Sequence, residues 1–210
     1  TPDKRDDNVE GRNVYEIFNY QIAYEIRLQQ AMEENLLCPF HYFGITDLSM
    51  IGDEEAARDF NMLTSDERVR HIVNQADYYG YSDDKVKGLI FCSNIKETEE
   101  LSAKFNQIIN PATGKNFRTV ALNGSASEQE RQDAFERLAM NEDESSEDRQ
   151  PLDYIFSVEI LNEGVDIVEV NQVIMLRPTQ SPIVFIQQLG RGLRKASGKE
   201  YVVILDFIGN

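Results

Sequence analysis

From Lys87 onward the chain alternates short runs of consecutive apolar residues with stretches whose apolar positions recur every three or four residues. Consecutive apolarity suits a strand buried on both faces, and the longer spacing marks one stripe of a helix. Leu89 to Cys92 is the first run, followed by Ile95, Thr98, Leu101, Phe105 and Ile108 at helical spacing, stopped by Pro111. Thr119 to Leu122 leads to the turn residues Asn123, Gly124 and Ser125. Ser127 with Glu130 three residues on is then the pattern of a capping box, opening a helix through Ala134, Phe135 and Leu138. Tyr154 to Val158, Val173 to Leu176 and Tyr201 to Leu205 complete this strand set, with Pro182 to Leu193 as the helix between the last two. Strands and helices in this order predict an α/β fold, a doubly wound, mainly parallel sheet with helices on both faces.

Upstream, Val14 to Leu37 carries Tyr15, Phe18, Ile22 and Ile26 on one helical face and breaks at Cys38-Pro39. His41 to Ile45 reads as a further strand and Arg58 to Tyr79 as helix. The expected division is therefore an N-terminal helical connector over 1–37 and the sheet domain over 38–210. No internal repeat or heptad seam occurs.

In such a sheet, ligands gather at the carboxyl ends of the strands, where loops meet helix N-termini. Ser93, Asn94, Asn123, Gly124, Ser125, Ser157, Arg177 to Thr179 and Asp206 fall there. Small hydroxyls, amides and glycine let backbone N–H groups approach a phosphate chain, although each residue alone also fits ordinary turn chemistry.

Composition sharpens this picture. The chain has 210 residues, 41% of them hydrophobic, enough for a sizeable core. Its net charge of −16 argues at face value against nucleic acid, which is bound largely through Lys and Arg. The distribution says more: Asn171 to Lys199 holds five basic residues and no acidic one, while Thr1 to Val170 holds 16 basic against 35 acidic. Part of that acidity lies in Asn141 to Asp148, which reads as a solvated, mobile loop. No apolar run reaches the roughly 18 residues of a membrane span and no signal-peptide pattern opens the chain, so a cytoplasmic setting without membrane contact is expected. The first residue is not Met, and a piece of a longer protein is expected. Cys38 and Cys92 form no disulfide framework. Cys38 and His41 have no second ligand pair to close a zinc site, so no metal site is expected in the chain itself.

Gln187-Gln-Leu-Gly190-Arg191-Gly-Leu-Arg194 places two arginines three apart. A rigid guanidinium fork suits a phosphate, and an exposed basic turn would look the same by spacing.

Two stretches read in order carry a resemblance. Ser157-Val-Glu-Ile-Leu-Asn-Glu-Gly164-Val-Asp166-Ile resembles motif V of superfamily 2 helicases and translocases, and Gln187 to Arg194 resembles their motif VI. Leu89 to Asn94 looks like motif IV, and Asn123-Gly124 with Arg131 and Phe135 looks like the element between motifs IV and V. Thr1-Pro-Asp-Lys-Arg is similar to the tail of motif III, which closes the first motor domain. The wording "LNEGVDI" is closest to the type III restriction enzyme-like group, while Val168 in place of Pro and Gln188 in place of a second Arg blur the subfamily.

The resemblance implies the second RecA-like domain of an ATP-dependent helicase or translocase. It implies ATP with Mg2+ held mainly by the first motor domain of the same chain, and a single strand of DNA or RNA, DNA favoured, as partner. Arg191 and Arg194 would then be arginine fingers, with Gln187 helping to place them. Gly164 and Asp166 would lie at the ribose or coupling element, Asp166 equally able to brace motif VI. Ser93, Asn94, Gly124 and Ser157 would hold the nucleic-acid backbone. No G-x-x-x-x-G-K-[ST] occurs, so the chain alone is expected to hydrolyse no ATP. Asp53-Glu-Glu-Ala56 reads as an acidic helix start rather than a D-E-A-D box. A non-catalytic interaction module and an α/β domain for a small phosphorylated ligand are the alternatives. The first need not keep both arginines beside Asp166, and the second would usually carry its own Gly-rich loop.

Overall fold

The computed structural model describes residues 38–47, 60–158, 169–176, 195 and 198–208. The expected connector over 1–37, the Asp53 to Ala56 segment and the expected Pro182 to Leu193 helix lie outside them. Among the described residues six strands form one sheet: β1 (Phe40–Thr46), β2 (Gly88–Phe91), β3 (Thr119–Leu122), β4 (Tyr154–Ser157), β5 (Gln172–Met175) and β6 (Val202–Ile208). Their order across the sheet is β1-β6-β5-β2-β4-β3, and every neighbouring pair is parallel. The helices are α1 (Phe60–Leu63), α2 (Asp66–Tyr79), α3 (Ile95–Phe105) and α4 (Glu128–Ala139).

The consecutive apolar runs are explained by burial on both sides. Ile90, Cys92, Phe156, Ile174, Val203 and Leu205 join one core with Val69, Ile72, Val73 and Ala76 of α2 and Leu101 and Phe105 of α3. Leu89, Phe91, Ile155, Val173, Val202 and Ile204, at alternate positions, are equally buried. Burying these side chains is worth about 1.5–3 kcal/mol each.

The strands fall within a residue or two of their predicted ends, except that β6 runs on to Ile208. Two helical expectations need correction. Arg58 to Tyr79 is not one helix, because α1 ends at Leu63 and Ser65 caps α2 by accepting the Arg68 N–H at 3.2 Å. The helix begun at Ile95 stops at Phe105 rather than running to Pro111, and Asn106 leaves it to bond the edge strand. There its side-chain oxygen accepts the Thr119 N–H at 2.7 Å and its amide donates to the Thr119 carbonyl at 3.2 Å. The capping box at Ser127 and Glu130 is present.

The Asn141 to Asp148 segment is exposed but not unattached. Glu142–Glu144 forms a 3-10 turn, Lys87 Nζ donates to Asn141 Oδ1 at 3.0 Å, Arg118 pairs with Glu142, and Arg149 pairs with Asp133 and Glu136 of α4. Exposed ion pairs are individually weak, but together with the Lys85 Nζ bond to the Leu152 carbonyl at 2.6 Å they tether both ends of the segment.

Candidate functional site at the carboxyl edge of the sheet

Strand register, set by the apolar pattern, lines up the strand ends. Leu122 pairs with Ser157, Ser157 with Phe91, Phe91 with Met175, Met175 with Asp206, and Asp206 with Gly44. One row thus crosses all six strands, and the loops that follow it share one edge. Ser93 and Asn94 leave β2 there, and Asn123 and Gly124 leave β3.

Ser93, Asn94 and Gly124 are exposed. The Asn94 side-chain oxygen caps α3 by accepting the Glu97 N–H at 2.9 Å, and the Asn94 carbonyl takes the Thr98 N–H at 3.1 Å. The Ser93 N–H is committed to Glu97 Oε2 at 2.7 Å, so Ser93 can offer a ligand its hydroxyl but not its amide. Asn123 closes its own turn, accepting from the Ser125 N–H at 2.9 Å and hydroxyl at 2.6 Å. A side chain at Gly124 would meet nothing within 4 Å, so the glycine leaves open surface rather than accommodating a tight contact.

Ser157 departs from expectation. It is wholly buried between β2 and β3, and its hydroxyl has no partner among the described residues. As the last residue of a strand flanked on both sides, it lies inside the row rather than on the loops beyond it. Its side chain does not share the exposed surface of the other three. Gly164, Asp166, Arg177, Gln187, Arg191 and Arg194 lie outside the described residues.

The pattern reading missed a buried charge cluster beneath this edge. Arg68 is 0% exposed, and its guanidinium bonds Asp47 and Glu97. Burial alone would lower its pKa, but Asp47 and Glu97 outweigh that and raise it. The signal was in the sequence: Arg68 stands four and eight residues before Ile72 and Ala76, in the apolar stripe of α2. At the far edge of the row, Tyr42 donates its hydroxyl to Asp206 Oδ2 at 2.6 Å.

An all-parallel six-stranded sheet with crossover helices and its loops gathered at one edge is a RecA-like α/β domain. The chain belongs to the helicase conserved C-terminal domain family, whose model matches residues 67–196, a span that includes both motif-like stretches. A Methanocaldococcus jannaschii protein assigned as an ATP-dependent RNA helicase is 29% identical over 178 residues, 76% of this chain and 21% of that protein. A Saccharomyces cerevisiae protein assigned as the ATP-dependent helicase IRC3 is 42% identical over 50 residues, 24% of this chain and 7% of that protein. Among solved structures, a fragment assigned to the HsdR subunit of a type I restriction enzyme from Vibrio vulnificus matches all of this chain and 38% of its own, with TM-score 0.72 and 21% identity. The DNA-bound type ISP restriction-modification enzyme LlaBIII matches 88% of this chain and 13% of its own, with TM-score 0.60 and 20% identity. The chain spans about a fifth or less of the curated relatives it matches.

Proposed function

We propose that this chain is the second motor domain of an ATP-dependent nucleic-acid translocase working in the cytoplasm, with a first RecA-like domain of the same protein as its partner. The observation that carries this reading is the single row of strand ends, which brings Ser93, Asn94 and Gly124 to one exposed edge within a helicase-family domain. Exposed hydroxyl, amide and glycine surface can follow a strand's backbone without reading its bases. DNA is the favoured strand, in keeping with the restriction-enzyme likeness of the fold. The DNA-bound state of LlaBIII and the RNA helicase name of the archaeal relative frame the two choices.

The sequence carries no G-x-x-x-x-G-K-[ST] phosphate loop, so on this reading ATP and its Mg2+, the source of the phosphoryl group, are held mainly by the first motor domain. Arg191 and Arg194 would then neutralise charge on that group, positioned by Gln187. Gly164 and Asp166 would sit at the ribose or the coupling element. Arginine fingers of this kind are worth about 10³ to 10⁵ in rate.

The test is turnover in the full-length protein with single-stranded DNA and RNA. Arg191→Ala or Arg194→Ala is expected to lower kcat by about 10² or more while changing ATP affinity less, because a finger acts mainly on transition-state charge. Near-wild-type turnover in both variants would return the pair to an exposed basic turn.

A further inference from the structure

One guanidinium ties three strand ends together. All five N–H donors of Arg68 find acceptors. Nε reaches Asp47 Oδ1 and Oδ2 at 2.8 and 3.1 Å, and Nη2 reaches Asp47 Oδ2 at 2.6 Å and the Leu176 carbonyl at 3.4 Å. Nη1 reaches Glu97 Oε1 at 2.8 Å and the Leu63 carbonyl. Asp47 directly follows β1, Leu176 directly follows β5, and Glu97 lies in the first turn of α3, which follows β2. The second oxygen of Glu97 takes the Ser93 N–H at 2.7 Å. A continuous path therefore runs from buried guanidinium to buried carboxylate to the backbone of the exposed β2–α3 loop.

Simple stability is a weak reason for such a cluster, since a buried ion pair is often no more stabilising than an apolar replacement of the same volume. What it does supply is geometry. A planar fork with five fixed donors specifies where each acceptor sits, and a lysine, with three rotatable donors on a point charge, cannot reproduce that. The acceptors so fixed include Glu97, which in turn holds the Ser93 N–H of the loop before α3, and the carbonyl of Leu176, the residue preceding Arg177.

We propose that Arg68 and Glu97 are positioning residues for nucleic-acid contact. They clamp the Cys92 to Asn94 backbone against the ends of β1 and β5, so that the exposed Ser93 and Asn94 side chains meet the strand already in place. The proposal rests on the nucleic-acid motor reading above. It assigns the pair no contact with the strand or with ATP. A contact surface held within about 0.5 Å by such underlying bonds loses affinity when they are loosened, even though no contacting side chain has changed.

The experiment uses the full-length protein and measures three quantities: kcat, the concentration of single-stranded DNA giving half-maximal ATPase stimulation, and Tm. Glu97→Gln keeps the volume and one acceptor oxygen, so the loop loses its two-sided clamp while the core stays filled. Arg68→Lys keeps the charge and loses the fork. Leu138→Ala, in a wholly buried position of α4 away from the cluster, supplies a variant destabilised by packing alone. Below Tm, Glu97→Gln and Arg68→Lys are expected to raise the half-maximal DNA concentration about five- to tenfold, the size of a lost hydrogen bond, with a smaller change in kcat. Leu138→Ala is expected to lower Tm and leave that concentration unchanged. If Arg68→Lys does not fold, Glu97→Gln alone decides. The proposal is overturned if the cluster variants shift Tm only, or if Leu138→Ala shifts the DNA concentration as much as they do. A wild-type protein without nucleic-acid-stimulated turnover would overturn the motor reading and this proposal together, whereas a stimulated wild type matched by Glu97→Gln would overturn this proposal alone.

Discussion

Glu97 accepts a hydrogen bond from Arg68 at 2.8 Å, with both side chains wholly shielded from solvent. Removing the cation strands two carboxylates, Asp47 and Glu97, in the interior. Arg68→Met is therefore expected to cost about 3–5 kcal/mol of folding stability, read as a lower denaturant midpoint. Replacing Asp47 and Glu97 by leucine in the same chain should recover much of that loss. A single variant as stable as the wild type would mean that the cluster carries no net charge penalty.

Asn94 offers a charge probe that spares the fold. Aspartate caps a helix about as well as asparagine, so Asn94→Asp should leave Tm within about 1 °C while setting a negative charge on the proposed strand path. Weaker binding of a labelled single-stranded oligonucleotide, by severalfold at low salt, is the expected anisotropy result. The salt dependence of the wild type should be shallow, with a log–log slope no steeper than about −3, because few cations are engaged and each phosphate neutralised contributes about −0.7. Unchanged affinity in Asn94→Asp would take this residue off the path. Ser157 cannot serve as such a probe, since a charge at a wholly buried position would report on folding instead.

Gly88 opens β2 directly beside Tyr154, its register partner in β4. A Cβ there would overlap the Tyr154 ring at Cδ1 and Cε1, and that ring is held by its hydroxyl bond to Gln172 Oε1 at 2.6 Å. Gly88→Ala is expected to destabilise by about 1–3 kcal/mol through overpacking, and the double variant Gly88→Ala with Tyr154→Leu should be less destabilised than the sum of the two single variants. Thermal unfolding of the three variants measures the coupling. Strict additivity would contradict the close approach.

Two buried lysines set a pH dependence. Burial lowers the Lys85 pKa to about 8 despite the opposing pull of Asp153, and burial lowers Lys199 likewise to about 8. The unfolded chain binds these protons more tightly, near the ordinary lysine value of 10.5, so stability should rise with pH from about 8 upward. Other groups oppose this at higher pH. Burial raises the Cys38 thiol above its ordinary 9.0, and burial with the Asp206 bond pushes Tyr42 up to about 12. The clean window is therefore pH 8 to 9, where Tm should increase and Lys85→Met should remove about half of the increase. A Tm that falls across that window would show that the two amines are not desolvated.

The strand pattern and the edge residues were legible in the sequence because they depend on local rules. Leu89 to Cys92 and Tyr154 to Phe156 are apolar at consecutive positions, and both faces of their sheet are covered; Ser127 and Glu130 satisfy each other within one turn. The break at Thr64 and Ser65 was hidden because apolar spacing on both sides of it fits one helix, and only the Ser65 cap reveals the end. The acidic segment after α4 looked unattached because its partners, Lys87 and Arg118, are far away in sequence.

By itself, the sequence determined a parallel α/β domain of the helicase C-terminal family with candidate contacts at the carboxyl edge. Those features follow from hydrophobic period, turn chemistry and short motifs, each read within a few residues. Tertiary structure alone decided which of the edge residues face outward. Ser93, Asn94 and Gly124 lie on loops beyond the row, while Ser157, the last residue of β4, has its side chain wholly buried. It alone also brought together Asp47, Arg68 and Glu97. Their separations of 21 and 29 residues leave no local trace, and only the stacking of α2 over the ends of β1, β2 and β5 makes one guanidinium the shared donor for all three.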